Sequence, residues 1–95
     1  PKKYLDSEIQ VFTTLLERNL KMFIERSTDV ADHDFWDISV VGYLRSLCQR
    51  VGVSYSSISL AIHKLSTISL EDLKESYVEL AKILVMGIYN SSQRR

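Results

Sequence analysis

Helix-breaking residues are scarce in this 95-residue chain: its one proline is Pro1, and it has only three glycines. Proline interrupts helices and glycine weakens them, so their scarcity leaves room for long helices throughout the chain. Apolar and polar residues nowhere alternate over a stretch long enough to predict a strand. The sequence therefore predicts an all-α fold.

Four segments repeat apolar residues every three or four positions, the spacing of one face of an amphipathic helix. They predict a four-helix domain with helices at Leu5–Arg26, Ser39–Arg50, Tyr55–Leu65 and Leu70–Asn90. Periodicity is lost in the acidic stretch Thr28–Asp37, which we expect to be a loop attached to the core by Phe35 and Trp36.

Capping signals accompany the predicted helices. Gly52 follows the second helix, where a glycine in the left-handed conformation commonly ends a helix. Ser69 and Asp72 form a capping box at the start of the fourth helix. Serines suited to capping the first three helices are Ser7 (with Gln10), Ser39 and Ser54.

Length and charge narrow the class of protein. A chain of 95 residues supports one hydrophobic core, so residues 1–95 should form a single domain. Its 12 basic and 12 acidic residues give a net charge of +0, which provides no overall attraction to nucleic acid or to anionic membranes. The longest strongly apolar run, Ile83–Tyr89, is much shorter than the roughly 20 residues of a membrane-spanning helix. The chain begins with Pro1 instead of Met, which is typical of an excised fragment or a processed chain.

No pattern of residues predicts an enzyme. Asp29, Asp32, His33 and Asp34 cluster in the predicted loop, but their spacing matches no established metal site, so we expect a solvated acidic loop. Cys48 lies among apolar core positions without a catalytic signature around it, and a lone cysteine suits a reduced, buried thiol in an intracellular protein, cytoplasmic or nuclear. We expect no cofactor, metal or small-molecule substrate.

The segment from Cys48 to His63 resembles a helix-turn-helix motif. A small residue precedes the turn glycine by four positions, a valine follows it, and Ile58 lies six positions after it. The second helix of such a motif enters the major groove of DNA. This alternative makes the chain a transcriptional regulator that contacts DNA through Tyr55, Ser56, Ser59, His63 and Lys64.

A longer pattern resembles the N-terminal part of a cyclin box. It comprises Phe35, Ile38-Ser39, Tyr43-Leu44, Leu47, Val53-Ser54, Ser57, Ala61 and Leu65. The resemblance is to the phosphate-pathway cyclins of fungi and the P/U-type cyclins of plants. It implies a cyclin-like helical bundle with Leu70–Ile88 as the central helix, and a regulatory domain whose partner is a protein kinase. The chain departs from the family pattern at His63–Ser66 and at Gly87–Tyr89, and the last two helices of a cyclin box would lie beyond Arg95.

The end of the fourth helix is apolar nearly all the way round, except for Lys82. A helix of this kind belongs at the centre of a bundle, and we expect three other helices to be too few to cover it. We therefore predict a surface for a protein partner or a second copy, formed by Leu80, Ile83, Leu84, Met86 and Ile88. The alternative is that the first helix folds back and completes the cover.

Overall fold

The computed structural model of the chain describes residues 2–26 and 35–93. Its elements are α1 (Lys2–Arg26), a π-helical segment (Trp36–Val41) that continues directly into α2 (Gly42–Val51), α3 (Ser56–Leu65) and α4 (Leu70–Gln93). No strand occurs in these two stretches of chain, which confirms the predicted all-α four-helix fold. None of the helices described is both long enough and apolar enough to cross a membrane.

The two long helices, α1 and α4, make the most extensive contact in the fold. The inner face of α1 buries Phe12, Leu16 and Leu20, at the spacing of four that a helix needs to keep side chains on one face. A hydrogen bond also joins the two helices, because the Tyr77 hydroxyl donates to Glu17 Oε2 at 2.7 Å. The periodicity of α1 thus predicted its core face correctly.

Two aromatic residues anchor the chain that follows the undescribed segment. Phe35 and Trp36 are buried, as predicted, and the Phe35 ring meets Phe23 of α1 edge to face with ring centres 5.4 Å apart. The fully buried core residues of α2 and α4 complete the same cluster; they are Leu44, Leu47, Leu73, Ala81, Val85 and Ile88. The core thus includes side chains from both ends of the described chain.

The second helix begins earlier than the sequence predicted. Phe35 already has helical backbone angles (φ −57°, ψ −47°), so Ser39 lies inside the helical run and is not its N-cap. A π-helix joins residues five apart, which places Phe35 and Val40 on the same side, and both are fully buried. Burial of these side chains outweighs the local capping preference of serine. Residues 27–34, including most of the predicted loop, lie outside the described chain.

Of the other four capping predictions, two are confirmed and two are wrong. Gly52 adopts the left-handed conformation (φ 78°, ψ 30°), and the next N–H, that of Val53, donates to the Cys48 carbonyl at 2.9 Å. Ser69 caps α4, since its Oγ accepts the Asp72 N–H at 3.2 Å. Ser7 is not a cap, because α1 begins at Lys2. The Ser54 hydroxyl is not one either, because it bonds the Ser56 hydroxyl at 2.7 Å in place of a backbone N–H.

Candidate interaction surfaces

The surface predicted on α4 is smaller than expected. Leu84 and Ile88 are core residues, so both leave the predicted surface. Leu80 and Met86 are half-buried, and only Ile83 stands clear, with 60% of its surface exposed. The physical reason is that α1 and α2 both pack against α4, and α1 covers most of the apolar surface that the sequence predicted to be exposed.

The environment of Ile83 is open and apolar on one side. Leu80 and Gly87, three positions before and four after, share its side of the helix. A Cβ built on Gly87 would meet nothing within 4 Å, so another backbone can approach α4 closely at this point. The other exposed apolar side chain of α4, Val78, points about 140° away from Ile83 around the axis. On this side of α4 the exposed apolar surface is therefore the Ile83 side chain beside an open stretch of backbone at Gly87.

Three of the five predicted DNA-contacting residues come together. Tyr55, Ser59 and His63 line a small cleft of about 240 Å³ at the edge of α3, and Arg45 of α2 lines it with them. The Arg45 guanidinium lies 4.6 Å from the centre of the Tyr55 ring, which is the geometry of a cation–π contact. The half-buried Tyr55 ring is thus already in contact with Arg45 within the fold.

The outward face of α3 is poorly suited to DNA. Ser56, His63 and Lys64 are exposed there, but Leu60 is exposed among them. Lys64 is the one fully charged cation within α3. Phosphate neutralisation supplies most of the affinity of proteins for DNA, and a single lysine provides little of it. The charge on α3 therefore gives little support to the DNA-binding alternative.

Sequence reasoning missed a second apolar face on α1. We call Tyr4, Val11, Leu15, Arg18 and Met22, together with Glu8, the outer stripe. Tyr4, Val11 and Met22 are 64%, 54% and 38% exposed, and Leu15 is half-buried. Val11, Leu15 and Arg18 border a shallow groove of about 450 Å³ that reaches Tyr43. The spacing of these residues is present in the sequence, but the inner face of α1 has a stronger apolar periodicity and was the only face predicted.

One end of the outer stripe is fixed to α2. The Tyr43 hydroxyl donates to the Glu8 carboxylate, and Arg50 Nη1 lies 3.1 Å from Glu8 Oε1. The Tyr43 ring also stacks on Phe12, with ring centres 4.7 Å apart and planes 5° apart. These contacts hold the first half of α1 in one orientation relative to α2.

Cys48, the one cysteine of the sequence, lies in the core. Cys48 is buried, as predicted, and burial raises the pKa of its thiol, which opposes nucleophilic use. No group of three or more His, Cys, Asp or Glu that could hold a metal ion occurs in residues 2–26 or 35–93. The predicted acidic loop with Asp29, Asp32, His33 and Asp34 lies outside those residues.

The chain was compared with known proteins at three levels. No family model, no curated protein and no solved structure matches it.

Proposed function

We propose that this chain is a non-enzymatic protein-interaction domain that binds a partner through the exposed part of α4 around Ile83. The observation that carries the proposal is the 60% exposure of this isoleucine on a helix whose other apolar residues are largely packed. Covering the exposed part of one isoleucine contributes on the order of 1–2 kcal/mol, so the partner must also contact neighbouring residues. The neighbours of Ile83 on its side of the helix are the half-buried Leu80 and Met86, the open backbone at Gly87 and the exposed Glu79.

The finer form of the proposal is a divergent or partial cyclin-like regulatory module. Its support is the resemblance of the sequence to a cyclin box, in which α4 takes the place of the central helix. Of the residues that carry the resemblance, Leu44 and Leu47 are buried in the core and Tyr43 packs against it. The partner proposed on this basis is a protein kinase.

Comparing two charge substitutions on α4 tests the proposal. Ile83→Asp should weaken binding at least tenfold. Val78→Asp is the matched control, because Val78 is 51% exposed on a different side of the same helix. Tagged wild-type and variant chains are used to capture proteins from the source cells, and each captured protein is then purified and titrated against each chain. Far-ultraviolet circular dichroism checks that both variants remain helical.

We expect at least one purified protein, a kinase under the cyclin-like form, to bind the wild type and Val78→Asp at least tenfold more tightly than Ile83→Asp. Equal binding by all three chains would refute the α4 surface. A protein that binds in this manner but is not a kinase would refute the cyclin-like form alone.

DNA binding through α3 is the alternative, and the exposed Leu60 and the lone Lys64 make it the weaker one. Electrophoretic mobility and fluorescence anisotropy with duplex DNA should show no sequence-specific complex at physiological salt. If such a complex formed, and if Ser59 or Tyr55 substitutions altered its sequence preference, the ranking of the two functions would be reversed.

A further inference from the structure

The outer stripe of α1 has no role in the proposed function. Its exposed side chains Tyr4, Val11 and Met22 each precede a core-facing residue of α1 by one position, so they lie about 100° around the helix axis from the core face. They are half of the exposed large apolar residues of the described chain. Single apolar residues on a surface are normal, but these three share one face of α1 with the half-buried Leu15, and only Glu8 and Arg18 interrupt the apolar row. This row is therefore a candidate contact surface.

The spacing of the stripe is that of a coiled-coil seam. From Tyr4 to Met22 its members follow steps of four, three, four, three and four, which is the heptad alternation that keeps one helix face against another helix. The stripe is about 27 Å long at 1.5 Å per residue. Another helix is thus the kind of surface that fits it.

We infer that the outer stripe is a self-association seam in which α1 of one copy packs antiparallel against α1 of a second copy. The order of residue types carries this assignment. Reading from either end, the stripe runs apolar, charged, apolar, apolar, charged, apolar, with Glu8 and Arg18 at the two charged positions. Antiparallel packing about the midpoint sets Tyr4 opposite Met22, Val11 opposite Leu15, and Glu8 opposite Arg18 of the second copy.

The charges select the direction of packing. In a parallel pair Glu8 would face Glu8 and Arg18 would face Arg18, so like charges would oppose one another twice. In the antiparallel pair each Arg18 approaches a Glu8 carboxylate that already binds Arg50 and Tyr43 within its own chain. The Arg50 side chain is 54% exposed and the Glu8 side chain 14% exposed, so Arg18 meets a carboxylate that Arg50 partly covers. Charge pairs of this kind determine orientation more than affinity.

Affinity must come from the apolar residues, and there are few. One helix face per copy gives an interface at or below the lower end of stable complexes, about 1,200 Å² in total. We therefore expect a weak dimer, with a Kd on the order of 10 to 500 μM. This inference concerns a different helix from the proposed function and does not depend on it.

Analytical ultracentrifugation of the full chain from about 1 μM to 1 mM tests the seam. The expected result is a monomer–dimer equilibrium that Val11→Asp weakens at least tenfold and Arg18→Glu weakens severalfold. Two matched controls, Val78→Asp and Leu60→Asp, place the same charge at exposed apolar positions outside the stripe and should leave the Kd unchanged. A chain that stays monomeric at 1 mM, or controls that weaken association as much as Val11→Asp, would overturn the inference.

A distance measurement tests the direction. A spin label at Tyr4→Cys, in a Cys48→Ala background checked for folding by circular dichroism, should report two labels separated by about 27 Å along an antiparallel seam. A parallel pair would bring the two labels within roughly 10–15 Å of each other, one helix-packing distance plus the label arms. The short distance would overturn the antiparallel assignment, and a fluorescent label at the same position offers an independent readout.

Discussion

Replacing Leu47 with alanine should strongly destabilise the domain. Leu47 lies on α2 and is completely buried in the core cluster. The substitution removes buried methyl groups and leaves a cavity that neighbouring side chains fill only in part, so the free energy of unfolding should fall by about 2 to 5 kcal/mol. Domains of this size have a total stability of about 5–15 kcal/mol, so the change is a large fraction of the whole. At about 4–8 °C per kcal/mol, the Tm should fall by at least roughly 8 °C.

Urea denaturation followed by circular dichroism at the helix band measures this loss. Leu60→Ala is the matched control, since it is the same chemical change at a side chain that is 63% exposed on α3. We expect the control to change the free energy of unfolding by less than about 0.5 kcal/mol, as surface substitutions usually do. A Leu47→Ala change as small as the control would show that α2 does not pack its Leu47 face into the core.

Three further predictions concern single groups. The hydrogen bond to Glu17, with a smaller contribution from burial, raises the pKa of Tyr77. A nuclear magnetic resonance titration should therefore show Tyr77 ionising at higher pH than free tyrosine. The Glu17→Gln substitution should reverse part of this shift. Because this pKa is raised in the folded state, the contact contributes to stability below the unfolded pKa and the contribution is lost as pH rises through the folded pKa. Burial raises the pKa of Cys48, so a thiol reagent at pH 7 should label it far more slowly in the native chain than in urea, and equal rates would contradict its burial. Gly52→Ala should destabilise by about 1–2 kcal/mol in denaturation experiments, because its φ of 78° disfavours any residue with a Cβ.

The fold was predictable because each amphipathic helix shows its core face in its own sequence. Phe12, Leu16 and Leu20 recur at helical spacing, and the structure buries all three. The start of the second helix was not predictable in this way. Ser39 has a good local capping propensity, but the π-helical segment forms because Phe35 and Val40 reach the core together, and that gain depends on residues far along the chain.

The candidate surface was predictable only in part, for a related reason. On α4, apolar residues occupy nearly every direction around the axis, so periodicity identifies no exposed side. Only the positions of α1 and α2 decide that Leu84 and Ile88 are covered while Ile83 is not. On α1 two apolar stripes coexist, and the inner one dominates any single-face interpretation. The residues of both surfaces can be read in the sequence, but only the packing of the helices decides which of them are exposed.

Adjacent positions on α4 should consequently respond in opposite ways to the same charge. Leu84 follows Ile83 by about 100° of rotation, which carries the side chain from 60% exposure to 8%. Leu84→Asp places an unpaired carboxylate among apolar side chains, and it should lower the free energy of unfolding by more than about 3 kcal/mol. Ile83→Asp leaves its carboxylate in water, and because aspartate and isoleucine differ little in helix propensity, the change should be less than about 1 kcal/mol. Thermal melts of the two purified variants provide the comparison: if Ile83→Asp destabilises the domain as strongly as is expected for Leu84→Asp, Ile83 is a core residue and the interaction surface proposed on α4 does not exist.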